Sequence, residues 1–221
     1  MAVSTGSAEP RVRRRNPEAT REDILSAART VLASDGPDGL SLSKVAQLAG
    51  VNRGTAYQHF ETREDLIKAT VDSVSRHLSA TVFGEPGEDG SLPDGGTQPV
   101  YNVITGLVDF AVENPELGRI WLFEILSSDN PDQDVFFRQF PQATQVMADN
   151  EYSEDDIDAE VLSVLFLAGY FLWPLWVKSR ARTARERREM SLRMRREVLR
   201  LSLRGTLREE YFPQLRALLE K

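Results

Sequence analysis

Cysteine is absent from the 221 residues, which excludes disulfide frameworks, thiolate zinc sites and cysteine nucleophiles together. Histidine is nearly absent: there are two, His59 and His77, and neither has a partner at catalytic or metal-ligand spacing. No segment alternates convincingly with a period of two, so no strand is expected, and with it goes any phosphate-cradling glycine loop after a strand. The acidic run 151–160 lacks the glycine and the ligand spacing of a calcium loop. Catalytic residues, metal ligands and cofactors are therefore expected to be none, and an enzyme is not expected. Basic charge is missing from the middle of the chain. Residues 81–160 carry 2 Lys or Arg against 18 Asp or Glu, a net of −16, whereas residues 1–80 carry +1 and residues 161–221 carry +8. The overall −7 thus hides two ends that can meet phosphate, because local field rather than total charge governs that contact. The first ten residues are small and polar without an apolar run; no export signal is read there, and a cytoplasmic location is expected.

What is present is helical patterning, most informative over residues 41–60. Ser41 is an N-cap type residue, and Leu42, Val45, Ala46 and Ala49 follow at helical spacing. Gly50 stands where a helix end needs positive φ, Val51 returns to the core, and Asn52 can cap the next helix. That second helix carries Arg53, Gly54, Thr55, Tyr57, Gln58 and His59, a dense set of hydrogen-bonding groups. The arrangement is a helix-turn-helix, whose second helix lies in a major groove. Flanking helices are expected from a Thr20–Asp23 start with an apolar stripe of Ile24, Ala27, Ala28, Val31 and Leu32, and from a Thr62–Asp65 start with Leu66, Ile67, Val71, Val74 and Leu78. The turn cluster 35–39 separates the first helix from the second.

From about Thr20 to Val74, roughly a quarter of the chain, the sequence resembles the DNA-binding domain of the tetracycline-repressor (TetR) family of bacterial transcription regulators. The likeness rests on Ile24–Ala28, Val45–Val51 through the turn, Gly54–Phe60 on the second helix and Thr62–Leu66 opening the next. Ala56 departs from it, since the family more often has a larger apolar residue there. The resemblance implies an all-α protein, with an N-terminal three-helix helix-turn-helix domain and a C-terminal helical ligand-binding and dimerisation domain. It implies a sequence-specific regulator, a repressor released from a palindromic double-stranded DNA operator by a small effector. The alternative is a helical scaffold or protein-interaction regulator that binds DNA without a small-molecule effector. Expected DNA contacts are Ser41, Lys44, Asn52, Arg53, Gly54, Thr55, Tyr57, His59 and Arg63. Arg53 suits a guanine edge, and Lys44 and Arg63 suit phosphates.

Four segments are expected: a basic arm 1–16, the DNA-binding domain 17–82, a turn-rich loop 83–99 and a helical domain 100–221. The arm, ending in Arg11-Val12-Arg13-Arg14-Arg15, reads as a phosphate or minor-groove contact or as a solvated tail. The last segment reads as five or six helices: Tyr101–Val112, Glu116–Ser128, Asp132–Asp149 kinked or interrupted at Pro141, a long helix capped by Ser153 and Asp156 and running to about Arg182, one over Arg185–Glu210, and a short piece after Pro213. Val161–Val177 is almost unbroken apolar sequence but short of a membrane span, with Ser163, Gly169 and Pro174 inside it. Two apolar faces point instead to two partners, the subunit's own core and a second copy. Leu165, Leu172, Trp176, Leu199 and Leu203 are the expected homodimer seam. The arginines of 178–208 interleave with Glu186, Glu189 and Glu197, which fits ion pairs on a solvated face better than a second nucleic-acid surface. Tyr101, Trp121, Glu124, Phe137, Phe140, Phe166, Tyr170 and Trp173 supply more aromatic surface than packing needs. They are the expected pocket for a hydrophobic effector, which a facing Glu113 or Glu124 would make cationic.

Overall fold

The structure is a computed structural model that describes residues 16–84 and 97–219. The expected basic arm up to residue 15 and the loop over residues 85–96 lie outside the described residues. Among the described residues there are ten α-helices and no strand, the one ladder-like contact being a bridge between Ser153 and Leu207.

Helix α1 (Pro17–Asp35) starts one turn before the expected Thr20 cap. Asn16 accepts the Glu18 N–H at 3.1 Å and Pro17 takes the first helical position, where a missing N–H costs nothing. Gly36, at φ +70°, ends α1 with its N–H on the Leu32 carbonyl. Helices α2 (Leu42–Leu48) and α3 (Arg53–His59) form the helix-turn-helix, and α4 (Arg63–Phe83) follows behind a complete capping box of Thr62 and Asp65. Ile24, Leu25, Val45, Ala46, Ala56, Phe60 and Leu66 close the core that these four helices share. Each of the larger side chains contributes about 1.5–3 kcal/mol by leaving water.

The C-terminal bundle comprises α5 (Thr97–Glu113), α6 (Pro115–Ser127), α7 (Val135–Ala148), α8 (Ala159–Arg180), α9 (Ala184–Gly205) and α10 (Pro213–Leu219). Three expectations are corrected here. Of the kink or interruption expected at Pro141, the interruption is absent: Pro141 lies inside α7, where Phe136 and Phe140 anchor the helix on Phe83, and Phe136 also on Trp121 and Phe171. Asp158, not Ser153 with Asp156, caps α8 by accepting the Val161 N–H at 3.0 Å. Ser153 instead donates to the Met147 carbonyl at 2.6 Å, and Asp156 takes the left-handed region at φ +62°. Finally, α9 stops at Gly205 rather than Glu210, its chain turning through a 3-10 turn into α10.

Helix α4 belongs to both cores. Its start, Leu66 and Val71, lies with α1–α3, while Val74, Leu78, Val82 and Phe83 pack with α5, α7 and α8–α10. Twenty-one residues make a rod of about 31 Å. From the other side α6 places Ile120 in the first core and Trp121 in the second. Arg29 of α1 adds a tie, donating to Ser73 of α4 at 2.9 Å and to Glu22 at 2.7 Å.

Candidate nucleic-acid interface

One side-chain cap on each of α2 and α3, with one glycine between them, holds the helix-turn-helix. Ser41 Oγ accepts the Lys44 N–H at 3.3 Å and Asn52 Oδ1 accepts the Thr55 N–H at 2.7 Å. Gly50 turns between α2 and α3 at φ +66°, a conformation that a side chain disfavours. A Cβ on Gly54 would sit 3.3 Å from Asn52 Oδ1, so the small residue leaves the cap room. Ala56 is the one fully buried residue of α3, and Arg53, Gly54, Tyr57 and Gln58 are exposed, with Thr55 and His59 half-buried. An alanine at the single inward position lets α3 lie close on α2.

Arg53 and Tyr57 form a pair one turn apart. The guanidinium sits 5.3 Å from the Tyr57 ring centroid and donates to the Tyr57 hydroxyl at 3.3 Å. Such stacking limits the rotamers of a long cation before it meets a ligand. Arg21 of α1 covers the Phe60 ring at 5.1 Å. Lys44 Nζ pairs with Asp35, and this hydrogen bond, ahead of one from Ser34, holds the Asp35 carboxyl below its ordinary pKa. The pair is solvent-exposed, so Lys44 gives it up at little cost.

Arg63 is differently employed. Its Nε donates to the Leu40 carbonyl at 3.1 Å, one terminal nitrogen to the Pro37 carbonyl at 2.6 Å and the other to Glu64 at 3.2 Å. The sequence placed Arg63 on a phosphate; the structure spends its fork on strapping the 37–40 turn to the head of α4. Arg63 supplies the donor for the Leu40 carbonyl and a second one for the Pro37 carbonyl, which also accepts the Leu40 N–H at 3.1 Å.

The expected effector residues do not line one open space. Trp121 lies 4.5 Å from Phe171 and 5.3 Å from Phe136, with its indole N–H on Asp134 at 3.1 Å. Phe140 is equally buried beside Phe83 and Phe136. These are packed core. Phe137 and Tyr101 are half-buried at its edge. Phe166 lies 6.1 Å from Tyr170, whose burial pushes its hydroxyl pKa far up. Trp173 is half-buried, yet its Nε1 is enclosed and has no hydrogen-bond partner among the described residues. Glu124 stands apart, lining a separate cavity with Ile67 and Ile120. Sequence reasoning omitted Phe136, Phe171 and Gly118. A Cβ at Gly118 would meet the Phe171 ring at 3.2 Å, so the glycine lets α6 and α8 approach. Aromatic spacing could have flagged the two phenylalanines; nothing local marks the glycine.

The expected seam divides in two. On α8, Leu165, Leu172 and Trp176 are exposed together with Val161, Val164 and Leu175, a bare apolar stripe at helical spacing. By length and composition alone α8 is a helix that could cross a membrane, although its other side packs in the core. Leu199 and Leu203 are buried in the subunit's own core, contrary to expectation. Helix α9 docks on α5, and Asp109 of α5 paired with Arg195 fixes the rotation that turns these leucines inward. Leu192 and Leu201 are the exposed apolar residues of α9.

Residues 24–70 match the profile of bacterial regulatory proteins of the tetR family. The HTH-type transcriptional regulator TtgR of Pseudomonas putida is 40% identical over 65 residues, covering 28% of this chain and 31% of that protein. An HTH-type transcriptional repressor of Mycobacterium tuberculosis is 32% identical over 66 residues, covering 30% and 35%. The chain spans about a third of the length of these curated relatives. Likeness of fold extends further. A crystal structure of a gamma-butyrolactone receptor (ArpA-like protein) superposes with a TM-score of 0.63 at 21% identity, covering 92% of this chain and 96% of that one. A TetR-family transcriptional regulator from Marinobacter aquaeolei VT8 gives 0.64 at 17%, covering 91% and 97%.

Proposed function

The chain belongs to the TetR family of bacterial regulatory proteins, and on that premise we propose that it is a homodimeric, sequence-specific DNA-binding regulator, acting as a repressor in the cytoplasm. The observation that carries the reading is the outward face of α3. Its Asn52 cap fixes the helix start, its one buried residue seats it, and its stacked Arg53–Tyr57 pair stands exposed. Arg53 takes a guanine edge, while Thr55, Tyr57, His59 and the helix-start groups of Ser41, Asn52 and Lys44 serve bases or phosphates. One such helix has a small footprint, so two are needed. The bare stripe of Leu165, Leu172 and Trp176 supports a second copy as the occupant better than a membrane, because the same helix is packed in the bundle on its other side.

Effector control is part of the proposal. The unpaired Trp173 Nε1, on a side chain packed against Val112, Val177, Ala181 and Met190, supports a hydrophobic ligand that brings a hydrogen-bond acceptor. A buried orphan donor costs about 1–3 kcal/mol, which such an acceptor would recover. Release follows if the ligand prefers a conformer whose two α3 helices no longer match the groove, and by linkage DNA must then weaken the ligand equally. Selection of duplexes from a random pool tests the DNA reading: enrichment of one near-palindrome supports it, and no enrichment over input rejects it.

A further inference from the structure

A cavity of about 250 Å3 lies away from the aromatic core, where the end of α1 and the turn after it meet α4 and α6. Leu32, Pro37, Ile67, Val71, Ile120 and Phe123 give it apolar walls, and Arg119 and Glu124 of α6 bring the two charged groups. We propose that this cavity binds a neutral single-ring molecule whose polar end both accepts and donates a hydrogen bond, an aromatic primary amide being the simplest member of the class.

Size and chemistry select that class. A dry cavity of about 150 Å3 accepts benzene, and pockets for drug-sized ligands begin at about 300 Å3. The space between suits one ring with a substituent or two. Arg119 reaches across to donate to the Ala33 carbonyl at the end of α1. That bond uses one of its five donor positions and fixes the guanidinium beside the cavity. Glu124 is half-buried, and its carboxylate can only accept. A carbonyl oxygen therefore has a donor available and an amide N–H an acceptor. A carboxylate in place of the amide could still accept from Arg119 but would face Glu124 with no N–H to give it, so the neutral amide is the end that satisfies both groups.

The position differs from both surfaces discussed above. Walls from α1 and α4 belong to the core under α3, and the α6 wall belongs to the helix that carries Trp121 on its other side. An occupant braces α6 against the DNA-proximal helices without touching α3 or the α8 stripe. Its binding is readable with no DNA present, so it stands or falls separately from the regulator reading.

The test is titration of 4-ethylbenzamide into the full chain, followed by ligand-observed NMR, with 4-ethylbenzoate as the anionic comparator. The expected result is saturable amide binding, with the benzoate about tenfold weaker because its carboxylate faces Glu124, a factor that corresponds to about 1.4 kcal/mol. Glu124→Gln should shrink that gap. Ser34→Phe, which fills the cavity from an exposed rim position, should abolish amide binding while circular dichroism shows the fold retained. Phe123→Ala, also at an exposed position, should weaken it by removing a wall. Trp173→Phe, in the other region, should leave it unchanged. No saturable amide binding, or binding that survives both Ser34→Phe and Phe123→Ala, or loss on Trp173→Phe, would overturn the assignment.

Discussion

The indole N–H of Trp121 and the carboxylate of Asp134 meet at 3.1 Å, and the same Asp134 Oδ1 accepts Ser75 Oγ–H at 2.9 Å and the Phe137 N–H at 2.9 Å. Ser75 Oγ in turn accepts the Phe136 N–H at 3.0 Å. Three helices are joined at one oxygen: α4, which begins under the helix-turn-helix, α6, and the N-terminus of α7. Asp134→Ala removes the α7 cap, worth about 1 kcal/mol, and strands the Trp121 donor, worth about 1–3 kcal/mol. Chemical denaturation should show a loss of about 2–4 kcal/mol, and Trp121→Phe a smaller one. A change for Asp134→Ala within about 0.5 kcal/mol, the range of ordinary surface substitutions, would remove the junction from the account.

Arg53→Ala should weaken binding to the selected DNA by about 1–3 kcal/mol and relax the preference at one base pair per half-site. Binding titrations on the selected site and on a scrambled duplex check this. Equal losses on both would assign Arg53 to the backbone instead.

Lys44 and Arg63, both basic and near the helix-turn-helix, should separate experimentally. Lys44→Ala should lower affinity for all sequences and reduce the salt slope by about one ion, with little effect on stability, since its bond to Asp35 is an exposed one. Arg63→Ala should cost about 1–3 kcal/mol of folding stability, because the Leu40 carbonyl loses its side-chain donor and the Pro37 carbonyl keeps only the Leu40 N–H. Arg63→Lys should not restore it, lacking the fork. Urea melts and salt titrations on both variants decide the matter. A fully stable Arg63→Ala would return Arg63 to the phosphates.

Glu186 caps α9 by accepting the backbone N–H groups of Thr183 and Arg182, which lowers its pKa below the ordinary 4.5. A carboxyl lowered in the folded state stabilises fully above its unfolded pKa, and that contribution is lost as pH falls through the folded value. Acid titration of the folded chain should therefore loosen α9, and Glu186→Gln should flatten the dependence of stability on pH below about 4.5. Identical acid profiles for the two proteins would contradict this.

Helix existence was legible in the sequence because the apolar stripes of α1, α4 and α5 recur at 3.6 residues, and α4 also brings its own Thr62–Asp65 capping box. Residues 41–60 also carried the turn chemistry, with Gly50 at positive φ and Asn52 as a cap. Orientation was less legible. Leu199 and Leu203 fit a seam as well as a core by spacing; only the docking of α9 on α5 decides between them. Arg63 looked free because its partners are backbone carbonyls more than twenty residues away, which no pattern encodes. The aromatic surplus was visible, but whether rings enclose space or fill it depends on rotamers and on Gly118, which admits Phe171.

The central claim is that two copies of α3, held at a fixed distance by the α8 stripe, read one DNA sequence. Selection from a random duplex pool, followed by footprinting of the winner, tests it most directly. The account predicts a near-palindrome with half-sites about 34–36 Å apart or a multiple of that, protected by the wild-type chain and no longer protected as a pair by Leu172→Arg. Enrichment of no sequence over input, or a single unrepeated half-site protected equally by wild type and Leu172→Arg, would contradict it.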